Sequence, residues 1–539
     1  MKTLSLLFAL TLCVSLSAQP KKSRNNVTDG NVLALSGKYP EAIKAYSAAI
    51  ERTPDYAEAY RQRGVAYFRM NKHVEAVTDF NKALQYNPSD AYAYYYRGLS
   101  ENIMHQDSLA LADFGKATAA NPMLSEAFYY RGQIEMKQKK YAPAVQDFRA
   151  AQQVSSSDSV LSLLGQCEYY TGDYRSAIQH LTTVVAHQPQ NSTASTYRGL
   201  SELAIGNTGD ALMDFNNAIR IDGNGLAYTG RSHTYIRIGR YADAMRDADS
   251  AVSRMPSASS SYAVSGLAKA RNGNREGALT DAKRSISLDS TDALAWSTRT
   301  IIYAHFGVDS LALIDANRAL QLNPNLGEAY ATRGRISYYH HYDNAEADLN
   351  RAITLDPANA EAYAYRGALR SDRGNYTQAL DDLTQAINLS SQAPEYWYLR
   401  GLAKSRMKEY KGALDDFNAA IKLDMTKADY FYQRGIAYSN LGQHAQALAD
   451  FSQAIKMDPH QSSYFYSRAG LYNSMQQTTN ATADYSQAIL LDPNNAEAYY
   501  QRGLIYRSQY SYKKAKDDFT QASKLQPANA TYKQALTGK

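Results

Sequence analysis

Residues 57–90 read AEAYRQRGVAYFRMNKHVEAVTDFNKALQYNPSD, and a stretch of this kind recurs along nearly the whole chain. In its first half Gly64 and Tyr67 lie three residues apart, and in its second half Ala76 and Phe80 lie four apart. These spacings place each pair on one face of a helix. A proline near the end of the stretch cannot continue a helix, so it bounds the second segment. The stretch therefore predicts two helices that pack against each other.

The stretch repeats with a period of 34 residues, in places 33. Its glycine recurs at Gly64, Gly98, Gly132, Gly165, Gly199, Gly266, Gly334, Gly367, Gly401, Gly435 and Gly503. An alanine of the second helix recurs at Ala42, Ala76, Ala110, Ala144, Ala177, Ala211, Ala244, Ala278, Ala312, Ala345, Ala379, Ala413, Ala447, Ala481 and Ala515. A period of this length is typical of stacked helix pairs, so we predict an all-α fold, an α-solenoid.

The order and spacing of the aromatic, glycine, tyrosine, alanine and proline positions resemble the tetratricopeptide repeat (TPR) family. The resemblance covers about fifteen tandem units across residues 30–527, and it implies a right-handed superhelix of helix-turn-helix units. The first unit has only Asn25–Leu35 as its first helix, so we expect residues 19–29 to form a tail and a partial helix. Residues 528–539 are expected to cap the other end, with a short helix from Ala530 to Leu536.

The start of the chain follows the pattern of a secretory signal peptide. Lys2 precedes an apolar run from Leu4 to Val14, and small residues follow up to Ala18. The run is shorter than the ~20 residues that a membrane-spanning helix needs, and no later segment is suited to span a membrane. We expect residues 1–18 to be removed and the mature chain to be exported to the periplasm, cell envelope or exterior of a bacterium.

Charge and chemistry exclude several classes of function. The formal net charge is +6, and the lysines and arginines are interspersed with acids, which disfavours nucleic acid as a partner. The sequence has no glycine-rich phosphate loop, no His-Glu-x-x-His motif and no nucleophile elbow. Cys13 lies in the signal peptide and leaves Cys167 alone, so no intramolecular disulfide is expected. We expect no enzyme activity, no cofactor and no metal site.

An arginine precedes the glycine position in most units, and an aspartate follows on the second helix of the same units. The arginines are Arg63, Arg97, Arg131, Arg198, Arg231, Arg299, Arg333, Arg366, Arg400, Arg434, Arg468 and Arg502. The aspartates are Asp79, Asp113, Asp147, Asp214, Asp247, Asp315, Asp348, Asp382, Asp416, Asp450, Asp484 and Asp518. Because half-buried charges need partners, we predict ion pairs within a unit or across a unit boundary. The alternative is a charged stripe that binds a ligand.

Two units depart from this arginine–aspartate ladder. The fifth unit has Leu164 and His180 at the two positions, so both charges are lost together. The eighth unit has Ser265 but keeps Asp281, so the coupling between the two positions is imperfect.

The TPR resemblance implies that the first helices line a concave groove, with the residue three before the glycine facing it. We call this residue the groove position. Small residues occupy it in the middle of the chain, at Ser162, Thr196, Thr229, Ala263, Ser297, Ala331 and Ala364. The candidate ligand-binding residues are Arg61, Tyr95, Tyr129, Tyr398, Tyr432, Tyr466 and Tyr500. Tyrosine offers a wide contact area and a hydroxyl group at low entropic cost. The alternative is that these tyrosines pack between neighbouring first helices.

These observations favour an exported scaffold for protein–protein interaction, with partner segments held in the concave groove. The family's known carboxylate clamp needs a lysine at the groove position, and no unit has one. The expected partners are proteins or peptides of the cell envelope. Two alternatives stay open: a glycan-binding module that uses the tyrosine strip, and a structural spacer whose ends alone make contacts.

Overall fold

The computed structural model describes residues 20–537, and this part of the chain contains 31 α-helices and no strand. The predicted signal peptide, residues 1–18, lies outside the described residues. The all-α fold class and the tandem arrangement of helix pairs predicted from the sequence are confirmed.

The chain divides into two compact regions, residues 1–230 and residues 231–539. The N-terminal region contains α1 (Lys21–Leu35), α2 (Tyr39–Arg52), α3 (Ala57–Arg69), α4 (His73–Tyr86), α5 (Ala91–Ile103), α6 (Asp107–Ala120), α7 (Ser125–Lys137), α8 (Tyr141–Val154), α9 (Asp158–Thr171), α10 (Tyr174–His187), α11 (Ser192–Ala204) and α12 (Thr208–Asp222). The division falls within α13 (Gly225–Arg237).

The C-terminal region continues the same alternation of helices. It contains α14 (Tyr241–Arg254), α15 (Ser259–Arg271), α16 (Arg275–Leu288), α17 (Ala293–His305), α18 (Asp309–Leu322), α19 (Gly327–Tyr339), α20 (Ala345–Leu355), α21 (Ala360–Asp372), α22 (Tyr376–Leu389), α23 (Pro394–Arg406), α24 (Tyr410–Leu423), α25 (Ala428–Asn440), α26 (His444–Met457), α27 (Ser462–Ser474), α28 (Thr478–Leu491), α29 (Ala496–Ser508), α30 (Tyr512–Leu525) and α31 (Ala530–Thr537).

Consecutive helices pair into fifteen units within residues 20–537, from α1 with α2 to α29 with α30. The first unit differs from the prediction, because α1 begins at Lys21 and not at Asn25. Its first helix is therefore complete, and the expected partial unit is wrong. After the fifteenth unit, α31 occupies Ala530–Thr537, close to the predicted closing helix.

In most units that carry the repeat glycine, the glycine faces a large residue of the paired helix. A Cβ atom added at Gly401 would lie 2.7 Å from Cε1 of Phe417, and one at Gly503 would lie 2.7 Å from the same atom of Phe519. Real Cβ atoms do not approach this closely, so a larger residue would force the helices apart. The two small positions of the repeat therefore set the distance between the helices of a unit.

Within each region, neighbouring first helices approach one another, whereas neighbouring second helices of the described chain do not come into extended contact. The first helices consequently lie on the inner side of the curved stack. In the C-terminal region the most extensive of these contacts join α15 with α17 and α19 with α21. These four helices carry small residues at the groove position, namely Ala263, Ser297, Ala331 and Ala364.

Candidate binding groove

In the N-terminal region the groove positions Arg61, Tyr95 and Tyr129 are all partly buried. Nε of Arg61 lies 3.0 Å from a carboxylate oxygen of Asp90, so this arginine is already ion-paired. The Tyr95 ring packs in a cluster of rings, with centroids 5.1 Å from Tyr96, 6.1 Å from Phe114 and 6.2 Å from Tyr130. Burial raises the pKa of the Tyr95 phenol above its ordinary value.

Tyr129 makes a similar set of contacts. Its ring centroid lies 5.4 Å from that of Tyr130 and 6.1 Å from that of Phe148. The Gln133 side chain donates a hydrogen bond to its hydroxyl oxygen at 3.1 Å. Tyr129 therefore combines packing with a polar contact on the first helix of its own unit.

In the C-terminal region the four groove tyrosines share one geometry. Each ring packs on the aromatic residue of its own second helix, and each side chain stays partly exposed. The centroid distances are 6.1 Å for Tyr398–Phe417, 5.9 Å for Tyr432–Phe451, 5.7 Å for Tyr466–Tyr485 and 5.9 Å for Tyr500–Phe519. The tyrosines thus have a packed edge and an open edge, so packing and ligand contact are compatible.

A second row of tyrosines covers the groove tyrosines from the following unit. The ring centroids of Tyr430, Tyr464 and Tyr532 lie 4.8 Å from Tyr398, 4.7 Å from Tyr432 and 5.0 Å from Tyr500 respectively. This row was not among the residues predicted from the sequence. Its signal was present, since Tyr396, Tyr430 and Tyr464 recur every 34 residues, two positions before the groove tyrosine.

Two tyrosines of this second row also donate hydrogen bonds to acids of the preceding unit. The Tyr464 hydroxyl donates to Asp429 at 2.5 Å, and the Tyr532 hydroxyl donates to Glu497 at 2.5 Å. The contacts join residues 35 positions apart, so they bind each unit to the next.

In the middle of the C-terminal region the groove position holds small residues, and polar groups elsewhere on the first helices pair with one another. Nε of Arg335 donates to Glu361 at 2.5 Å, and the guanidinium lies 5.9 Å from the Tyr365 ring centroid. The Tyr339 hydroxyl donates to Glu395 at 2.7 Å. These groups satisfy one another across units, which leaves little of this section open to a partner.

The arginine–aspartate ladder is present as predicted. Within residues 20–537 all twelve arginines pair with the aspartate of their own unit. In unit 13, for example, Nε and Nη2 of Arg434 each donate to Asp450 at 2.7 Å. The aspartates are buried, so the ladder is structural and the alternative of a ligand-binding stripe is not supported.

The third donor of most ladder arginines crosses the unit boundary. Nη1 of Arg434 donates at 2.8 Å to Asn418, which lies on the second helix of the preceding unit. The equivalent acceptors lie 16 residues before their arginine at Ser47, Asn81, Thr182, Asn317, Asn350, Thr384, Ser452 and Ser486. The ladder therefore joins the two helices of a unit and connects most of its units to the preceding one.

The two departures from the ladder have local replacements. In unit 5, His180 Nδ1 lies 2.7 Å from the buried Glu168, and Arg149 donates to the same carboxylate at 2.8 Å. In unit 8, the Ser265 hydroxyl and the Lys269 ammonium both donate to Asp281, at 2.6 and 2.5 Å.

A further position, three residues after the glycine, places a charge beside the ladder. In units 3 and 4 it holds Glu101 and Glu135, next to Asp113 and Asp147. Burial and the neighbouring aspartate raise the pKa of each glutamate to about 7. In units 11 and 12 the position holds cations, at Arg370 and Lys404, which pair with the ladder aspartates at 2.7 and 2.8 Å.

The described residues offer no second kind of site. Cys167 is buried, and burial raises the pKa of its thiol to about 12. Across residues 20–537 no group of histidines, cysteines and acids is placed to hold a metal ion. None of the helices in this range is long and apolar enough to cross a membrane.

Sequence profiles of known families match more than half of the chain. Profiles described as TPR repeat match residues 30–71 and 469–509. Profiles described as tetratricopeptide repeat match residues 57–90, 108–159, 163–225, 369–428, 428–461 and 496–529. The chain belongs to the tetratricopeptide repeat family. The TPR fold supports protein–protein interaction in general, and proteins built of it are typically non-enzymatic.

Solved TPR structures are similar to this one. The crystal structure of the APC/C hetero-tetramer Cut9–Hcn1 matches with a TM-score of 0.60 and 14% identity, covering 89% of this chain and 95% of that chain. Yeast Tom70 matches with a TM-score of 0.32, 16% identity and coverage of 77% and 94%. YrrB, a TPR protein with an unusual peptide-binding site, matches with a TM-score of 0.30, 23% identity and coverage of 35% and 97%. At these identities the likeness shows the solenoid fold alone. No curated protein matches the chain.

Proposed function

We propose that this TPR protein is an exported scaffold of the cell envelope that holds segments of partner proteins along units 12–15. The observation that supports the proposal is the row of four groove tyrosines, Tyr398, Tyr432, Tyr466 and Tyr500, each with an open edge on the first helices. Tyrosines with one packed and one open edge give rigid contact area, and such residues are enriched where proteins bind one another.

The section of the groove between α13 and α21 is a poorer candidate. Arg335 is ion-paired with Glu361, and Tyr339 donates to Glu395 of unit 12, so a partner would first have to break those contacts. The first helices also approach most closely there, which leaves less surface between them. These contacts support a partner segment at the C-terminal units rather than in this section.

The proposal is tested by capturing partners from envelope extract with the chain that begins at Gln19. A second bait carries alanine at Tyr398, Tyr432, Tyr466 and Tyr500, and a third carries phenylalanine at the same positions to preserve ring packing. If the scaffold hypothesis is right, a defined protein binds the first bait and does not bind the alanine bait. Circular dichroism on each bait separates lost binding from lost folding.

A matched control removes four exposed tyrosines elsewhere in the same region. Tyr241, Tyr342, Tyr510 and Tyr512 lie in or just after the turns between helices and are 38%, 50%, 79% and 61% exposed. Their alanine variant should keep the partner. If the groove variant keeps it equally well, the tyrosine row serves packing and the spacer reading is favoured. If free oligosaccharide releases the partner, the glycan-binding reading is favoured.

Export is a separate part of the proposal, supported by the sequence of residues 1–18. It is tested by fractionating cells that express the full chain and sequencing the N-terminus of the recovered protein. A mature chain that begins at Gln19 outside the cytoplasm supports export. A full-length cytoplasmic protein contradicts it.

A further inference from the structure

The tyrosine pattern of units 12–15 breaks once, at the junction between units 14 and 15. At the other junctions a tyrosine of the following helix covers the groove tyrosine, whereas the helix that follows Tyr466 carries Ala498. Within residues 20–537 the ring contact of Tyr466 is with Tyr485 of its own unit, at 5.7 Å. One face of Tyr466 therefore lacks the aromatic cover that its three counterparts have.

The space beside that face is not filled from the same helix. Gly470 stands one position after the glycine site of unit 14, where units 12, 13 and 15 have large aliphatic residues, Leu402, Ile436 and Leu504. A Cβ atom added at Gly470 would have only the Tyr485 hydroxyl oxygen near it, at 3.7 Å, which is an ordinary contact distance. The backbone at Gly470 thus borders open space.

The acid that belongs to the missing tyrosine is missing as well. In unit 13 Asp429 accepts the hydrogen bond from Tyr464, but the equivalent residue of unit 14 is Ser463. The donor and its acceptor are therefore replaced together at this one junction. Ala498 itself is fully buried in the core cluster against which Tyr466 packs. We call the surface formed by Ser463, Tyr466 and Gly470 the Tyr466 notch.

A carboxylate of fixed position lies beside the notch. Glu497 accepts hydrogen bonds from Gln501 at 2.7 Å and from Tyr532 at 2.5 Å. Within the described residues it forms no ion pair with a lysine or arginine. Burial and the nearby Glu497 carboxylate raise the pKa of the Tyr466 phenol. A carboxylate with two donors retains further lone pairs for a third.

The same sign of charge continues along the groove. Glu395 and Asp429 occupy the equivalent position in units 12 and 13, and neither is ion-paired with a lysine or arginine in the part of the chain described. In contrast, Glu361 of unit 11 is neutralised by Arg335 at 2.5 Å. Among the described residues, units 12–15 therefore present three carboxylates without an ion-paired lysine or arginine beside four tyrosines.

We propose that the Tyr466 notch seats a lysine or arginine side chain of an extended, basic partner segment, with Glu497 as its counter-charge. A cation is attracted to the face of an aromatic ring and gains further from a nearby carboxylate. Arginine fits best, because its planar guanidinium can stack on the ring while it donates to the carboxylate. This inference rests on the proposed function and names the class of partner.

The test uses fluorescent peptides of about eleven residues and the chain that begins at Gln19. One peptide alternates arginine with glycine and serine, the second has citrulline in place of every arginine, and the third has glutamate. Citrulline keeps the shape and planarity of arginine but carries no charge. We expect the arginine peptide to bind about tenfold more tightly than the citrulline peptide, and the difference to shrink as salt screens the carboxylates.

The sharpest variant restores the repeat pattern at the notch. Ser463→Asp with Ala498→Tyr recreates the pair seen at Asp429 and Tyr464 and covers the Tyr466 ring. Because Ala498 is fully buried, circular dichroism first establishes that the variant folds, and Glu497→Gln provides a second test that leaves the packing in place. The restored variant adds a negative charge, yet the proposal expects affinity for the arginine peptide to fall by about tenfold, because the ring face is lost. Glu497→Gln should weaken binding of the arginine peptide but not of the citrulline peptide.

Equal binding of the arginine peptide to the restored variant and the natural chain would overturn the proposal. Equal binding of the arginine and citrulline peptides would do so as well. Neither outcome touches the proposed function, which stands or falls on capture of a partner by the four groove tyrosines. A partner captured through those tyrosines by a neutral or acidic segment would leave the scaffold reading intact and refute the notch.

Discussion

At the scale of single residues, the ladder arginine combines three kinds of contact. Arg434 pairs with Asp450, donates to Asn418 of the preceding unit, and lies 5.5 Å from the Phe431 ring centroid. A guanidinium can make all three contacts at once because its five donors are arranged in a plane. A lysine at this position could not replace it.

We predict that Asp450→Asn lowers the free energy of unfolding by about 2–3 kcal/mol, because it leaves a half-buried guanidinium without its counter-charge. Chemical denaturation measures the loss. The double variant Arg434→Leu with Asp450→Asn should cost less than the sum of the two single variants, since neither charge is then left alone. Strict additivity would contradict the ion pair.

The neighbouring carboxylates of units 3 and 4 make the stability of the protein depend on pH. Glu101 and Glu135 have a pKa of about 7, above the ordinary value of 4.5, so the folded protein binds protons more tightly than the unfolded chain. Their contribution to stability is present at low pH and is lost as the pH rises through about 7. Burial is the largest cause of the raised pKa of Glu101. Among the charged groups that face it, Asp113 raises this pKa, whereas Arg97 and Lys116 lower it.

We therefore expect Glu101→Gln and Glu135→Gln to stabilise the protein at pH 8, by about 2 kcal/mol each, with little effect at pH 5. Thermal unfolding across this range measures the difference. The double variant should show a flatter pH profile than the natural chain. Identical profiles would mean that the two glutamates are ionised without cost.

At the scale of helices, the residue at the groove position sets how closely neighbouring first helices approach. Ala331 and Ala364 are fully buried where α19 and α21 come together, whereas Tyr398 and Tyr432 separate α23 and α25. A side chain of tyrosine size cannot enter the first contact without displacing a helix. The small residues in the middle of the chain are therefore packing residues.

We predict that Ala331→Tyr destabilises the C-terminal region by about 1–3 kcal/mol through overpacking. Chemical denaturation of the purified chain measures the cost. Ala449→Tyr, at an exposed position of α26, is the matched control and should change stability by less than about 0.5 kcal/mol. If the Ala331 variant is as stable as the control, the space between the first helices is large enough for a tyrosine side chain.

At the scale of the whole molecule, each unit contacts mainly its neighbours. The fifteenth unit has no sixteenth beside it, so another element must cover its apolar face. Tyr532 of α31 is buried against Tyr500 and donates to Glu497, so α31 covers the last unit. In such arrays stability is the sum of unit and interface contributions, and damage at one end stays local.

We predict that removing α31 increases hydrogen exchange in α29 and α30 and leaves α3 to α8 unchanged. Mass spectrometry of deuterated fragments gives the measurement. Tyr532→Phe is a milder variant that keeps the ring but loses the hydrogen bond, and its effect should be smaller and in the same place. A uniform rise in exchange along the chain would argue against local unfolding.

The helix pairs could be predicted from the sequence, because small residues that recur with a fixed period allow two helices to pack in only one way. The sequence was also sufficient for the ladder, since both partners recur with the period. It was insufficient for contacts that do not recur, such as Arg335 with Glu361 or Tyr339 with Glu395, which depend on the curvature of the stack. The start of α1 was misplaced because residues 21–24 carry none of the pattern residues.

The hydrogen bond that most ladder arginines donate to the preceding unit has a consequence for the history of the chain. Donor and acceptor sit at the same positions in successive units, and the acceptors Asn418, Ser452 and Ser486 are interchangeable small polar residues. If a whole unit is duplicated or lost, the new neighbours still meet donor to acceptor. The array can therefore lengthen or shorten by recombination without creating a mismatched junction.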